Sequence, residues 1–185
     1  PGTATKITFS PAGNNNISAD SGNINITITV KDDSGNLVTN NTVVRLYLTD
    51  PGNNNSGIGS IDTSIVTTIS GQVSLYLNKS DSSGDDYRIS AYIGTLSDTS
   101  GTFTVTPGVE RTIIISPVSQ QIVFSSTMVI SVSMYDTKGN AASNRSVVLE
   151  FAGGGNGNFS GQGIGSPIGL NTNSYGTTSI VYYAP

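Results

Sequence analysis

The side chains of this chain that could do chemistry are its acids. Twelve Asp and Glu stand against eight Lys and Arg, for a formal net charge of -4, and there is no His, Cys or Trp. Without imidazole or thiol, Ser-His-Asp and Cys-His nucleophiles and the usual zinc sites are excluded. What remains is oxygen chemistry. Asp32 and Asp33 sit in the run Asp32-Asp33-Ser34-Gly35-Asn36, and Asp81, Asp85 and Asp86 crowd a Ser-rich stretch. Acids this close together could collect a calcium ion, although neither run has the ligand spacing of an EF-hand loop. The structural alternative is that a short carboxylate such as Asp32 or Asp136 accepts backbone N–H groups across a turn that Gly and Asn then close. The residues favour the structural role and no cofactor, with calcium at the five acids as the competitor. Glycoside hydrolysis would need two acids facing each other across a cleft. The only glutamates, Glu110 and Glu150, fall in an expected linker and on an expected outward strand face. The expectation is therefore no enzyme.

Other polar groups point to the outside of a cell. Asn-x-Ser/Thr triplets at Asn16, Asn25, Asn40, Asn54, Asn78, Asn144 and Asn158 are acceptors for N-linked glycan in an exported chain. A surface of Ser, Thr, Asn and Gly with only 11% charged residues fits an extracellular or cell-surface location. The basic residues are scattered singly, which argues against a nucleic-acid partner. Apolar runs such as residues 112–115 are too short to span a membrane. Gly153-Gly154-Gly155-Asn156-Gly157 opens no expected helix and precedes no Lys, so it reads as a loop and not a phosphate cradle. Tyr47, Tyr76 and Tyr92 fall out of phase with inward neighbours and could form an exposed aromatic strip for sugar or protein. Lys6 and Lys31 also fall out of phase, which disfavours a buried Lys–Asn isopeptide bond.

The elements that must carry these groups are strands. Ile24, Ile26, Ile28 and Val30 alternate with polar residues, the period of a half-buried antiparallel strand. Val44, Leu46 and Leu48 give a second inward set, and later strands are expected at Val73-Leu75-Leu77, Tyr87-Ile89-Ala91-Ile93 and Phe103-Val105. No segment sustains a helical period. Then the pattern repeats. Pro1-Gly2 returns as Pro107-Gly108 at an offset of 106, Ile24 as Met128 at 104, Gly35-Asn36 as Gly139-Asn140 at 104, and Gly71 as Gly176 at 105. Val147, Leu149 and Phe151 follow their turn one residue sooner than Val44, Leu46 and Leu48 follow theirs. A one-residue slip inside a strand would invert it, so the extra residue is expected in the turn at residues 37–42. Buried positions are expected at Ile24, Ile26, Ile28, Val44 and Leu46, and at Met128, Ile130, Val132, Leu149 and Phe151.

The run Val30-Lys31-Asp32-Asp33-Ser34-Gly35-Asn36-Leu37-Val38 resembles the signature of bacterial immunoglobulin-like repeats of the invasin and intimin type. Residues 134–142 are a looser copy, with Met and Ala at two Val positions. Ser70-Gly71-Gln72-Val73 and Gly84-Asp85-Asp86-Tyr87-Arg88-Ile89-Ser90-Ala91 are similar to two further landmarks of that family. The resemblance implies an all-β chain of two tandem immunoglobulin-like antiparallel sandwiches, residues 1–106 and 107–185. It also implies a stalk or spacer in a surface array, whose partners are neighbouring repeats and whose tip binds a receptor or glycan. A subunit of a filament, sheath or surface layer, made of identical copies, and a carbohydrate-binding module are the alternatives. By the repeat offset Tyr182 matches Leu77, so the second sandwich is expected to lack its last two strands. Either the chain is a window on a longer array or a neighbour donates a strand. The Pro-Gly start favours the window.

Overall fold

A computed structural model describes residues 1–13, 15–49, 60–61, 63–152 and 156–185. The chain divides into two compact units, Pro1–Thr106 and Pro107–Pro185. Unit 1 is a sandwich of two sheets. In the first, β1 (Lys6–Ser10), β3 (Ile24–Lys31), β7 (Gln72–Asn78) and β5 (Ser60–Ile61) lie side by side in that order. The second has the order β2 (Asn15–Ser18), β10 (Phe103–Thr106), β8 (Asp86–Ile93), β4 (Val43–Thr49) and β6 (Ile65–Thr67), and β9 (Leu96–Thr99) pairs with β8. All pairs are antiparallel except β2 with β10. The strict alternation of β3, β4 and β7 sends Ile26, Ile28, Val30, Val44, Leu46, Leu75 and Leu77 into one core, where Ile89, Ala91, Phe103 and Val105 meet them from the other strands. Burying each such aliphatic side chain stabilises the sandwich by about 1.5–3 kcal/mol against full exposure.

Unit 2 has a four-stranded sheet, β11 (Glu110–Ser116), β12 (Thr127–Asp136), β16 (Thr177–Tyr183) and β14 (Asn158–Phe159), and a two-stranded one of β13 (Ser146–Leu149) and β15 (Ile168–Asn171). The registers repeat those of unit 1. Ile7 faces Val30 as Ile113 faces Met134, and Ile26 faces Leu75 as Ile130 faces Ile180. Val44 faces Val66 as Val147 faces Leu170. The extra residue of the first turn is narrower than expected in its placing. Val38 N donates to Val30 O as Ala142 N does to Met134 O, and Asn41 and Asn144 both take positive φ, 62° and 54°. The chain therefore takes one more residue between Val38 and Asn41 than between Ala142 and Asn144.

Among the described residues of unit 2 no strand stands in the places that β2, β8, β9 and β10 hold in unit 1. The burial expectations diverge accordingly. Ile26, Ile28, Val44, Leu46, Val132 and Leu149 are buried, but Ile24, Met128, Ile130 and Phe151 are only half-buried. Ile24 opens its strand at the rim of the sheet. Met128 and Ile130 face a second sheet of two short strands, too narrow to cover them, and Phe151, just past the end of that sheet's β13, is covered on one side by Phe159 and Tyr182 of the larger sheet. Ile7 is 3% exposed, whereas Ile113, its match, is 56% exposed because nothing in the position of β9 lies over it.

Candidate functional site

The best-ordered polar constellation occurs twice, at the ends of β3 and β12. Asp32 Oδ1 accepts the backbone N–H of Ser34 (3.0 Å) and Asn36 (2.9 Å), and Oδ2 accepts Gly2 N–H (2.8 Å) and the Asn36 side-chain amide (3.3 Å). Asp136 does the same with Lys138 (2.8 Å) and Asn140 (2.8 Å) on Oδ1, and Gly108 (2.7 Å) and the Asn140 amide (2.8 Å) on Oδ2. Gly35 and Gly139, at φ 81° and 84°, give the turn the left-handed residue it needs. Each carboxylate is nearly covered and surrounded by the positive ends of N–H dipoles. The Gly2 hydrogen bond, against the upward push of burial, holds Asp32 below the ordinary carboxylate value of 3.8. Burial pushes Asp136 up, and the bonds from Asn140, Gly108 and Lys138 together outweigh it and hold it below 3.8. Four donors on one carboxylate make a fastener that ties the Pro-Gly segment leading into each unit to that unit's own turn.

The acids considered for calcium are dispersed. Asp32 is enclosed by its donors, and the neighbouring Asp33 is exposed. In the loop after β7, Asp85 is buried and accepts the Ser80 hydroxyl and exposed Asp81 lies 3.8 Å from Lys79 Nζ, while Asp86, the first residue of β8, accepts Thr104 Oγ1. No group of three or more acids that could hold a metal ion is gathered among the described residues. Lys79 itself went unnoticed in the sequence. Its side chain is almost wholly buried, with Nζ donating to Ala19 O (2.7 Å) and Ser80 O (3.3 Å). The signal was present, because Lys79 continues the inward phase of Val73, Leu75 and Leu77. Lys6 is exposed and Lys31 half-buried. Thr68 and Thr172 were also missed. Each is buried and donates to a turn carbonyl, Thr39 O (2.8 Å) and Ala142 O (2.6 Å), while accepting the N–H of Thr42 and Arg145.

Glu110 lies not in a linker but at the start of β11, where Oε1 comes within 2.8 Å of Arg145 Nε without the alignment of a hydrogen bond. Exposed Glu150 follows β13. Of the sequons, Asn16, Asn25, Asn40 and Asn144 are exposed and Asn78 and Asn158 half-buried. The side chain of Asn40 accepts Ser70 N–H, and those of Asn78 and Asn158 donate to Ser60 Oγ and Gln162 O. Asn54 and residues 153–155 of the Gly-rich loop lie outside the described residues. The tyrosine strip resolves into a pair and a single. Tyr47 and Tyr92 meet edge to face at 5.4 Å, on β4 and β8, whereas Tyr76 lies on the other sheet, opposite Asn25.

No protein-family model and no curated protein matches the sequence. Solved structures do match. The chain is similar to FdeC, an adhesin of Escherichia coli, with a TM-score of 0.54 and 14% identity over 99% of this chain, and it spans 57% of the adhesin chain. It is similar to the D00-D0 domain of intimin, with a TM-score of 0.50 and 15% identity, covering 97% of this chain and 86% of that one. The S-layer protein SbsC matches more loosely, at a TM-score of 0.41 and 17% identity over 96% of this chain and 22% of its own. The fold is thus the all-β immunoglobulin-like sandwich that the repeats implied, of the kind found in adhesin domains of the intimin type.

Proposed function

We propose that the chain is a non-enzymatic structural and adhesive module of a surface or extracellular protein, a stiff spacer built of repeats that holds a binding tip away from the cell. The observation that carries this is the repeated fastener. Asp32 and Asp136 each bind the Gly of the Pro-Gly segment leading into their own unit, so that neither unit begins with slack chain. A spacer needs that more than it needs a pocket. The fold shared with an adhesin and with intimin supports the same role, as does a chain without His or Cys in which Asp32 and Asp136 are spent on turns. The test is surface display, with this chain inserted between an anchor and a known binding tip. Adding copies should raise capture of a bulky ligand while leaving the tip's affinity for free ligand unchanged. Capture indifferent to copy number would overturn the spacer role.

One observation favours a second role, as a subunit of an extracellular assembly completed by a strand from another copy. Ile113 and Ile115 are exposed, and Met128 and Ile130 only half-buried, beside the narrow second sheet of unit 2. Light scattering on the purified chain decides it: growth into regular polymers supports the assembly, and a stable monomer removes it.

A further inference from the structure

Unit 1 contains two arginines, Arg45 and Arg88, and both stand on one sheet face with two tyrosines. Val44 and Leu46 on β4, and Tyr87, Ile89 and Ala91 on β8, point into the core. The residues between them, Arg45 and Tyr47 on β4 and Arg88 and Tyr92 on β8, therefore point outward. All four are exposed, Tyr47 by 54% and Tyr92 by 40%. Register places Arg45 directly beside Tyr92 on one side and Ile65 of β6 on the other, and Thr49 beside Arg88. Tyr92 and Arg88 are four residues apart on β8, about 14 Å of strand, so Arg45 stands level with Tyr92 at one end of the tyrosine pair and Arg88 one register step beyond Tyr47 at the other. Exposed Val43 and Ile65 extend the apolar area along β4 and β6. Arg88 Nε donates to Thr102 Oγ1 at 2.9 Å, which fixes the plane of that guanidinium. Among the described residues neither arginine has a carboxylate within ion-pair distance. Asp86, the acid on the same face of β8, is taken up by Thr104.

We propose that this outer face of β4 and β8 is a docking surface for an acidic protein partner. Tyr and Arg beside exposed aliphatics are the side chains on which protein interfaces concentrate their binding energy. The partner's sign follows from charge. In a unit whose acids outnumber its bases, this face presents two cations with open N–H forks, the geometry that carboxylates fill bidentately. A sugar is the poorer occupant. Stacking on a pyranose wants a ring laid flat to solvent, and here the two rings stand at 85° with one edge on the other's face, flanked by Val43 and Ile65. The docking role goes beyond the spacer role and does not depend on it.

The experiment uses the whole chain with a Glu/Tyr copolymer as probe and a polyuronate in parallel. Amide hydrogen exchange locates the contact. The copolymer should bind more tightly than the polyuronate and protect β4 and β8. The double variant Arg45→Gln/Arg88→Gln should weaken it at least about tenfold, and Tyr47→Ser should weaken it independently. The charge-matched control Lys6→Gln/Lys31→Gln should bind as the parent does. Unchanged urea midpoints would confirm that the variants fold. No binding, equal loss in the lysine control, protection elsewhere, or tighter binding of the polyuronate would each overturn the proposal.

Discussion

The backbone N–H of Gly108 donates to Asp136 Oδ2 at 2.7 Å, across 28 residues of sequence and out of contact with solvent. Gly2 and Asp32 make the same bond across 30 residues. Removing the Asp136 carboxylate strands several donors at once, of which Gly108 N–H is buried. Asp136→Ala should therefore destabilise unit 2 by about 2 kcal/mol. Urea denaturation followed by circular dichroism measures it, and hydrogen exchange at Gly108 should accelerate in the variant.

Acid should act through the same two carboxylates. Their folded values lie below 3.8, so the unfolded chain binds more protons than the folded one as pH falls. Their contribution is complete above the unfolded value and is lost as pH drops through the folded values. With no His in the chain, the urea midpoint should be flat from about pH 5 to 8 and fall below about pH 4. A variant carrying both Asp32→Asn and Asp136→Asn should show a shallower acid limb. An unchanged limb would count against the fasteners as its source.

Gly176 has φ 69°, and a Cβ there would come within 2.7 Å of Met134 O and 2.9 Å of Ala142 N. Gly139 has φ 84° and nothing within 4 Å of such a Cβ. Gly139→Ala should cost about 1 kcal/mol of left-handed strain, and Gly176→Ala clearly more, because backbone must move as well. Equal midpoints for the two variants would contradict the close approach.

Core truncations should separate the units. Leu46 is fully buried, and Leu46→Ala should cost about 3 kcal/mol. Ile130 is half-buried, and Ile130→Ala should cost roughly half as much. Thermal scans by circular dichroism should show the first variant lowering the transition of unit 1 and the second lowering that of unit 2.

The strands and turns were legible where the signal is local. Ile26-Thr27-Ile28 announces its own alternation, and Asp32 to Asn36 carries its turn chemistry within five residues. The internal repeat then placed β11, β12 and β16 by comparison. Strand β2 was not legible, since Ile17 is its one apolar residue and its partner lies some ninety residues away, at Val105. Lys79 was missed although its phase is inward, because the cost of burying a cation argues against that position, and only two carbonyls supplied by the fold make it tolerable. The exposure of Ile113 was hidden for a related reason. Its own sequence copies that of a core residue, and burial depends on strands contributed from elsewhere.

Strand β2, near the beginning of unit 1, runs parallel to β10 at its end, with Asn15 beside Phe103 through to Ser18 beside Thr106. Asn15 N–H donates to Thr102 O and Ala19 N–H to Thr106 O at the two ends of the pair. Tension entering at Pro1 and leaving at Thr106 draws these strands in opposite senses along their common axis. The bonds between them are then loaded together in shear, whereas a hairpin pulled at its open ends breaks its bonds one after another. Once β1 is peeled from β3, the force at which unit 1 yields is set by that short parallel seam, so a pulled chain should hold and then fail abruptly instead of lengthening by degrees.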